Sequence, residues 1–349
     1  MTGTLFTHAL TVVVGSGGVG KTTLAASLAL DLARRGHDTL VMTFDPSMRL
    51  KDTLGVGEEA REREVEVRAG TRGRLFASLL DPQRTFDRLV ARYAPDEQAS
   101  QRILRNRLYS HLRGSLAGVL EYMAVERLFE VATEGRFARV ILDTPPTRQA
   151  IDFLEAPARI VGFLDSGALR IALKPWFNEA GRLRVTKRVP LVGRSVERFF
   201  DRIVGLGLLR DMAEFFLAFG PLYEGFRERA DSVAELLRAP ETGFVLVTRP
   251  EEERVPETLF FARRLVESGH HLGAVVVNMR HPAPPARPGP VLEGDRLFAW
   301  LAERDARGTE RFRQLLPNQL VVDLPLLPEE PADLDSLEAM RALLVARAS

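Results

Sequence analysis

The stretch from Thr11 to Arg34, TVVVGSGGVGKTTLAASLALDLAR, decides the fold. Its first four residues, Thr11 to Val14, are all β-branched, which suits a buried strand. The run from Leu24 onward, rich in Leu and Ala, reads as a helix. Between them lie Gly15, Ser16, Gly17, Gly18, Val19, Gly20, Lys21, Thr22 and Thr23, a full match to G-x-x-x-x-G-K-[ST]. Glycines let successive backbone amides turn toward one centre, and a helix starting near Lys21 adds its positive dipole end, so the loop suits a polyphosphate. Lys21 supplies a point charge between β- and γ-phosphates, and Thr22 a hydroxyl for Mg²⁺. A Gly-rich turn matching by chance would lack this strand before it and this helix after it.

Outward from this loop, short β-branched runs alternate with long amphipathic stretches, the pattern of an α/β protein with a mostly parallel, doubly wound sheet. Core strands are expected at Thr11 to Val14, Thr39 to Thr43, Val140 to Asp143, Phe244 to Thr248, Ala274 to Asn278 and Leu320 to Asp323. Runs at Glu64 to Arg68 and Leu75 to Ser78 would add an edge. With 349 residues the chain has room for two domains, or for one large domain with an insertion. Residues 1–79, 137–155 and 241–349 form the expected nucleotide domain, discontinuous in sequence, and the helical blocks 80–136 and 156–240 form the inserted subdomain. In the second block Leu209, Met212, Phe216, Phe219, Tyr223 and Phe226 recur at helical spacing beside a ridge of Leu208, Phe215 and Leu222, with Arg210, Asp211 and Glu214 opposite. This wide apolar face either packs on neighbouring helices or receives an apolar client helix. Pro221 should kink the helix if it runs through, and HPAPPARPGP from His281 to Pro290 reads as a stiff surface loop.

Two further acids stand at strand ends. Asp45, in Thr43-Phe-Asp45-Pro46-Ser47, follows the second strand and would face the ligand crevice. There it either orients or deprotonates an attacking water, or caps a short helix begun by Pro46. Asp143 ends the apolar strand RVILD and is followed by TPPTRQAIDFLEAP, a Walker B arrangement in which the carboxylate holds Mg²⁺ or its water.

Composition removes several classes. Lys plus Arg (48) balances Asp plus Glu (47), net +1, so the chain has no general grip on nucleic acid or an anionic membrane. Only four of the basic residues are lysines, Lys21, Lys51, Lys174 and Lys187, which makes a lysine in a phosphate loop conspicuous. With no cysteine, disulfides, thiolate zinc sites and iron–sulfur clusters are excluded, and no zinc is expected. No run approaches the roughly 18 to 20 apolar residues of a membrane span. The N-terminus lacks a basic n-region and runs directly into the phosphate loop, which points to the cytoplasm.

Together, GSGGVGKTT, TFDPSM and DTPPTRQAIDFLEAP resemble the GKGGVGKTT, TDPAH and DTAPTGHTLRFLxLP of the ArsA family of P-loop ATPases. That family includes the arsenite-pump ATPase and the targeting ATPase for tail-anchored membrane proteins. TRPEEERVPETLFFARRL, AVVVNMR and DLPLLPEEP fit its later segments, so the resemblance spans essentially the whole chain. It implies a P-loop NTPase of the SIMIBI class that binds ATP or ADP with Mg²⁺. It also implies that Lys21 is catalytic, that Asp45 is the water-activating acid of the first switch, and that Thr22 and Asp143 serve the metal. Asn278 and the Pro325 loop become adenine contacts; the other reading of Asn278 is a turn residue closing a strand. The sequence departs from the pattern twice. The lysine that reaches across a dimer to the partner's phosphates is replaced by Ser16, leaving Arg49 or Arg148 as substitute cations, and the Gly-His of the second switch is replaced by Arg148-Gln149.

The resemblance thus implies a nucleotide-dependent dimeric switch, a homodimer or a heterodimer with an ArsA-like paralogue, that binds an apolar client or partner protein. The alternative is a regulatory or assembly subunit that binds nucleotide with little hydrolysis, which the loss of the signature lysine favours. Arsenite pumping is disfavoured, because trivalent arsenic needs thiolates. A membrane-cycling protein is a further option if Leu337, Met340, Leu343 and Leu344 form an amphipathic tail.

Overall fold

The computed structural model describes residues 8–44, 49–94, 96–106, 119–145, 154–158, 162, 223–285 and 293–348. Its elements in chain order are β1 (Leu10–Gly15), α1 (Lys21–Arg34), β2 (Thr39–Thr43), α2 (Arg49–Leu54), β3 (Val65–Val67), β4 (Leu75–Leu79), α3 (Pro82–Tyr93), α4 (Glu97–Leu104) and α5 (Val119–Thr133). There follow β5 (Arg139–Asp143), α6 (Tyr223–Arg238), β6 (Thr242–Thr248), α7 (Val255–Glu267), β7 (Leu272–Arg280), α8 (Glu293–Leu315), β8 (Leu320–Pro325) and α9 (Leu334–Ala348).

All eight strands join one sheet in the order β3-β4-β2-β5-β1-β6-β7-β8. Every neighbouring pair is parallel except β3 with β4. The α/β, doubly wound architecture expected from the sequence is therefore present. β1, β2, β4 and β6 are buried at every position, as strands covered on both faces must be, and that is why their sequences are apolar runs without alternation. One detail differs from expectation. Leu75–Leu79 pairs with β2 inside the sheet, and the three-residue β3 alone forms that edge, its Glu66 facing solvent, a charge that discourages further strand pairing.

The chain divides into two compact units, one of Met1–Asp81, Leu128–Ile151 and Glu235–Ser349, the other of Pro82–Arg127 and Asp152–Ala234. In the first, every residue of α1 from Leu24 to Ala33 is buried, because sheet and helix cover it from more than one side. The α9 side chains Leu337, Met340 and Leu344 are at most 3% exposed, and Leu343 is partly buried in the same cluster. Arg341 ties that helix to α1 through Asp31 at 3.1 Å and is itself held by Glu338 of its own helix at 2.7 Å. This corrects the membrane-tail option. Burial of each such side chain is worth roughly 1.5–3 kcal/mol, so these residues belong to the core and are not held out for lipid.

The second unit is helical in its described part. Glu126 on α5 and Arg229 on α6 lie 2.6 Å apart with side chains 0% and 13% exposed, and the guanidinium sits 3.9 Å from the ring of Tyr93 on α3. A desolvated pair of this kind fixes alignment more than it adds net stability. Of the apolar face read from the sequence, Leu209, Met212, Phe216 and Phe219 lie outside the described residues; Tyr223 and Phe226 fall on α6.

Candidate functional site

The loop from Gly15 to Gly20 joins the end of β1 to the start of α1, at the carboxyl edge of the sheet where the winding direction reverses. Two of its glycines are sterically required. Gly20 is left-handed (φ 86°, ψ 27°), and a Cβ there would overlap the Nδ2 of Asn278. A Cβ on Gly15 would overlap the carbonyl of Val247. Gly20 caps α1 without any side-chain hydrogen bond, and the first turn carries no acid. Neither a capping side chain nor an acid competes at the helix start, which suits an anion.

Lys21 is only 8% exposed, and its ammonium donates to the Ser16 carbonyl at 2.9 Å, folded back along its own loop. Val19 is buried in the core, and its carbonyl accepts from Asn278 Nδ2 at 2.9 Å. Only its backbone amide remains to serve a ligand. Next to Lys21, Thr22 Oγ1 donates to Asp143 Oδ2 at 2.7 Å, and Thr43 Oγ1 donates to the same oxygen at 2.8 Å. Asp143 is fully buried at the end of β5, paired on one side with Val13 of β1 and on the other with Thr43 of β2. Thr144 donates through both its amide (3.2 Å) and its hydroxyl (2.8 Å) to the Val13 carbonyl, which anchors the start of the following segment.

A hydroxyl and a carboxylate side by side form a small, hard oxygen set. That is what Mg²⁺ takes from protein when phosphates and water supply the rest. Among the described residues no cluster of three or more His, Cys, Asp or Glu side chains could hold a metal.

A cleft of about 370 Å³ opens beside the loop. Gly18, Gly20 and Thr23 line it from the loop and the first turn of α1, Asn278 and Met279 from the end of β7, and Pro325–Leu327, Glu329–Pro331 and Met340 from β8 onward. Its walls are mostly apolar, with the Asn278 carboxamide of β7 reaching the phosphate loop. Met279 has φ 60°, a left-handed conformation that costs a non-glycine residue roughly 1–2 kcal/mol, and its sulfur accepts from Arg249 Nη2 at 3.0 Å. Arg49 stands at the mouth, 3.6 Å from Glu330, with both side chains mostly exposed.

The expected residues Gly15 through Thr23, Asp143, Asn278 and Pro325 are therefore collected along one edge of the sheet. Asp45 and Arg148 lie outside the described residues. Thr43, Thr144 and Met279 were not assigned roles from the sequence. Thr43 and Thr144 sit inside the quoted motifs, so proximity to the acids was the available signal; nothing in the sequence foretells the backbone of Met279.

Fold and loop define a P-loop nucleotide-binding protein of the α/β class. The chain belongs to the ArsA ATPase family, described as anion-transporting ATPase, which matches residues 8–346, and it is an ATPase of that family. It is 26% identical over 337 residues to an Aquifex aeolicus protein named as an arsenical pump-driving ATPase, covering 95% of this chain and 77% of that one. It is 24% identical over 334 residues to ATPase GET3A of Arabidopsis thaliana, covering 94% and 81%. Against ATPase GET3 of Kluyveromyces lactis it is 30% identical over 206 residues, covering 55% and 56%.

Proposed function

We propose that this chain is a Mg-ATP-dependent conformational switch that works as a dimer and holds an apolar client or partner protein. The observation that carries the reading is the meeting of Thr22 and Asp143 at 2.7 Å beside a loop whose lysine is held in place. The amides of residues 15–20 would cradle the phosphates, with Lys21 as their point charge. Thr22 and Asp143 would hold Mg²⁺, which when bound neutralises charge on the β- and γ-phosphate oxygens. Asn278 and the Pro325 loop would flank the adenine. Asp45 would orient and deprotonate the attacking water, and the face from Leu209 to Phe226 would receive the client. Such a protein works where ATP is, in the cytoplasm; among the described residues no helix is long and apolar enough to cross a membrane.

The test separates binding from turnover. Lys21→Ala should weaken Mg-ATP binding by about 10- to 100-fold in calorimetry, as loss of charge-assisted hydrogen bonds requires. Asp45→Asn should bind normally and lose hydrolysis, since Asn caps a helix about as well as Asp. Unchanged affinity in the first variant, or unchanged turnover in the second, overturns the role given to that residue.

A second reading, a nucleotide-binding subunit paired with an ArsA-like paralogue and turning over slowly, is favoured by Ser16. A serine there brings no cation to the partner's phosphates. Arsenite is disfavoured as cargo, because the chain has no cysteine to offer a soft centre.

A further inference from the structure

The two strands that end at the cleft, β7 and β8, fall out of step just before they reach it. Val277 pairs with Asp323 and Arg280 with Pro325, so three steps along β7 match two along β8. This is a bulge, one extra residue that re-aims the side chains around it. Met279 absorbs it with its positive φ. Asn278, on the same bulge, meets Val19 of the phosphate loop, and Met279 lines the cleft.

A carboxylate holds the far end of the bulge. Asp323, the last regular partner on β8 and only 7% exposed, sits 3.2 Å from Arg280 through Oδ2, an ion pair not aligned as a hydrogen bond. Its Oδ1 accepts from Arg313 Nη2 of α8 at 2.7 Å, and Arg347 of α9 stands 3.5 Å from Oδ2. Arg280 in turn accepts the Leu326 amide at its carbonyl, 2.8 Å away. One buried carboxylate thereby fastens the residue that joins Asn278 and Met279 on one wall to Pro325 and Leu326 on the other. Arg313 and Arg347 are half-exposed, where ion pairs contribute little. Arg280 is the more sheltered partner and belongs to the cleft wall itself.

We propose that Asp323 is a positioning residue for nucleobase recognition: through Arg280 it holds the bulge that sets the two walls of the cleft. The proposal rests on the reading that this cleft takes the base of the nucleotide. A carboxylate serving only as a staple between strands and helices would affect stability, and would leave the choice between bases untouched.

The experiment measures Mg-ATP, Mg-GTP and inorganic tripolyphosphate affinities of the full chain by calorimetry, with thermal unfolding of each variant alongside. Asp323→Asn and Arg280→Gln should each weaken ATP by about fivefold or more, leave tripolyphosphate unchanged and reduce the preference for ATP over GTP. Arg313→Ala, which removes an outer partner of the same carboxylate, should preserve the preference. Equal weakening of ATP and tripolyphosphate, or an unaltered ATP-to-GTP ratio in folded Asp323→Asn or Arg280→Gln protein, overturns the positioning role. Should Asp323→Asn fail to fold, Arg280→Gln decides alone. Wild-type protein that binds tripolyphosphate as tightly as ATP, with no base preference, would instead overturn the base-cleft reading, and the proposal with it.

Discussion

Thr22 Oγ1 donates to Asp143 Oδ2 at 2.7 Å, although 121 positions separate the two residues. Strand order produces the meeting: β5 lies between β2 and β1, so Asp143 ends level with Val13 on one side and Thr43 on the other. The phosphate loop follows β1 directly, which brings the first turn of α1 over the end of β5. Strand order and the loop's attachment to β1 thus make neighbours of hydroxyl and carboxylate, an arrangement fixed by the sheet.

The first prediction uses that pair. Thr22→Val keeps the shape of the side chain and removes the hydroxyl. Mg-ATP affinity should fall by about tenfold or more, the worth of a hydrogen bond or ligand at a charged centre, while nucleotide affinity in the presence of a chelator changes far less. Calorimetry with and without Mg²⁺ reads both, and an equal loss in the two conditions would remove Thr22 from the metal site.

A second prediction concerns the tail. Leu344 is fully buried in the cluster that includes α1. Leu344→Ala should therefore cost about 2–5 kcal/mol of folding stability, the range for a large-to-small change in a core. Denaturant unfolding would measure it, and flotation with anionic vesicles should detect no binding by wild type or variant. A variant as stable as wild type would return this helix to the surface.

These two cases mark what was legible in the sequence. The sheet was readable because strands covered on both faces carry near-continuous apolar runs, as the centres of β1, β2 and β6 do, with threonine as their buried polar residue. The phosphate loop was readable because its glycines answer to local sterics. The tail was not. Leu337, Met340 and Leu344 have the same spacing whether the stripe meets lipid or α1, and only tertiary contact distinguishes them. Thr43 and Asp323 were missed for a related reason: their roles depend on which strands become neighbours, and strand order is not written in any one segment.

The third prediction is a pH dependence. Asp305 is fully buried on α8 and accepts from the His281 amide at 2.9 Å, pairs with His281 Nδ1 at 2.7 Å and takes the Arg304 guanidinium at 2.8 Å. Burial alone would raise its pKa, yet the His281 and Arg304 contacts together outweigh it and hold the carboxyl below its ordinary value. A group with a depressed folded pKa stabilises above its unfolded pKa, about 3.9, and loses that contribution as pH falls through the folded value. Asp305→Asn should therefore be less stable than wild type by about 1–3 kcal/mol at neutral pH, with the gap closing in strongly acidic solution. Unfolding midpoints across that range check it; a gap that stays constant to low pH would show that the charge is not what stabilises.

The last prediction concerns Ser16, where the family pattern carries a lysine that reaches the partner's phosphates. Serine supplies no charge to a partner's site. A cation delivered to the developing charge is worth about 10³ to 10⁵ in rate, so the protein alone should hydrolyse ATP slowly. Ser16→Lys should raise its rate, and so should an ArsA-like paralogue that carries the lysine. An arginine of the chain is the competing source. Arg49 stands at the cleft mouth in an exposed pair with Glu330, a contact worth at most about 1 kcal/mol and readily given up, and Arg148 follows the β5 acid in sequence. If either supplies the charge, basal turnover will be brisk and its substitution will remove most of it. Steady-state hydrolysis of wild type, Ser16→Lys, Arg49→Ala and Arg148→Ala, each alone and with the paralogue, separates these outcomes. A fast basal rate that neither arginine substitution reduces would overturn the expectation, because it would mean that catalysis here does not depend on the charge that Ser16 lacks.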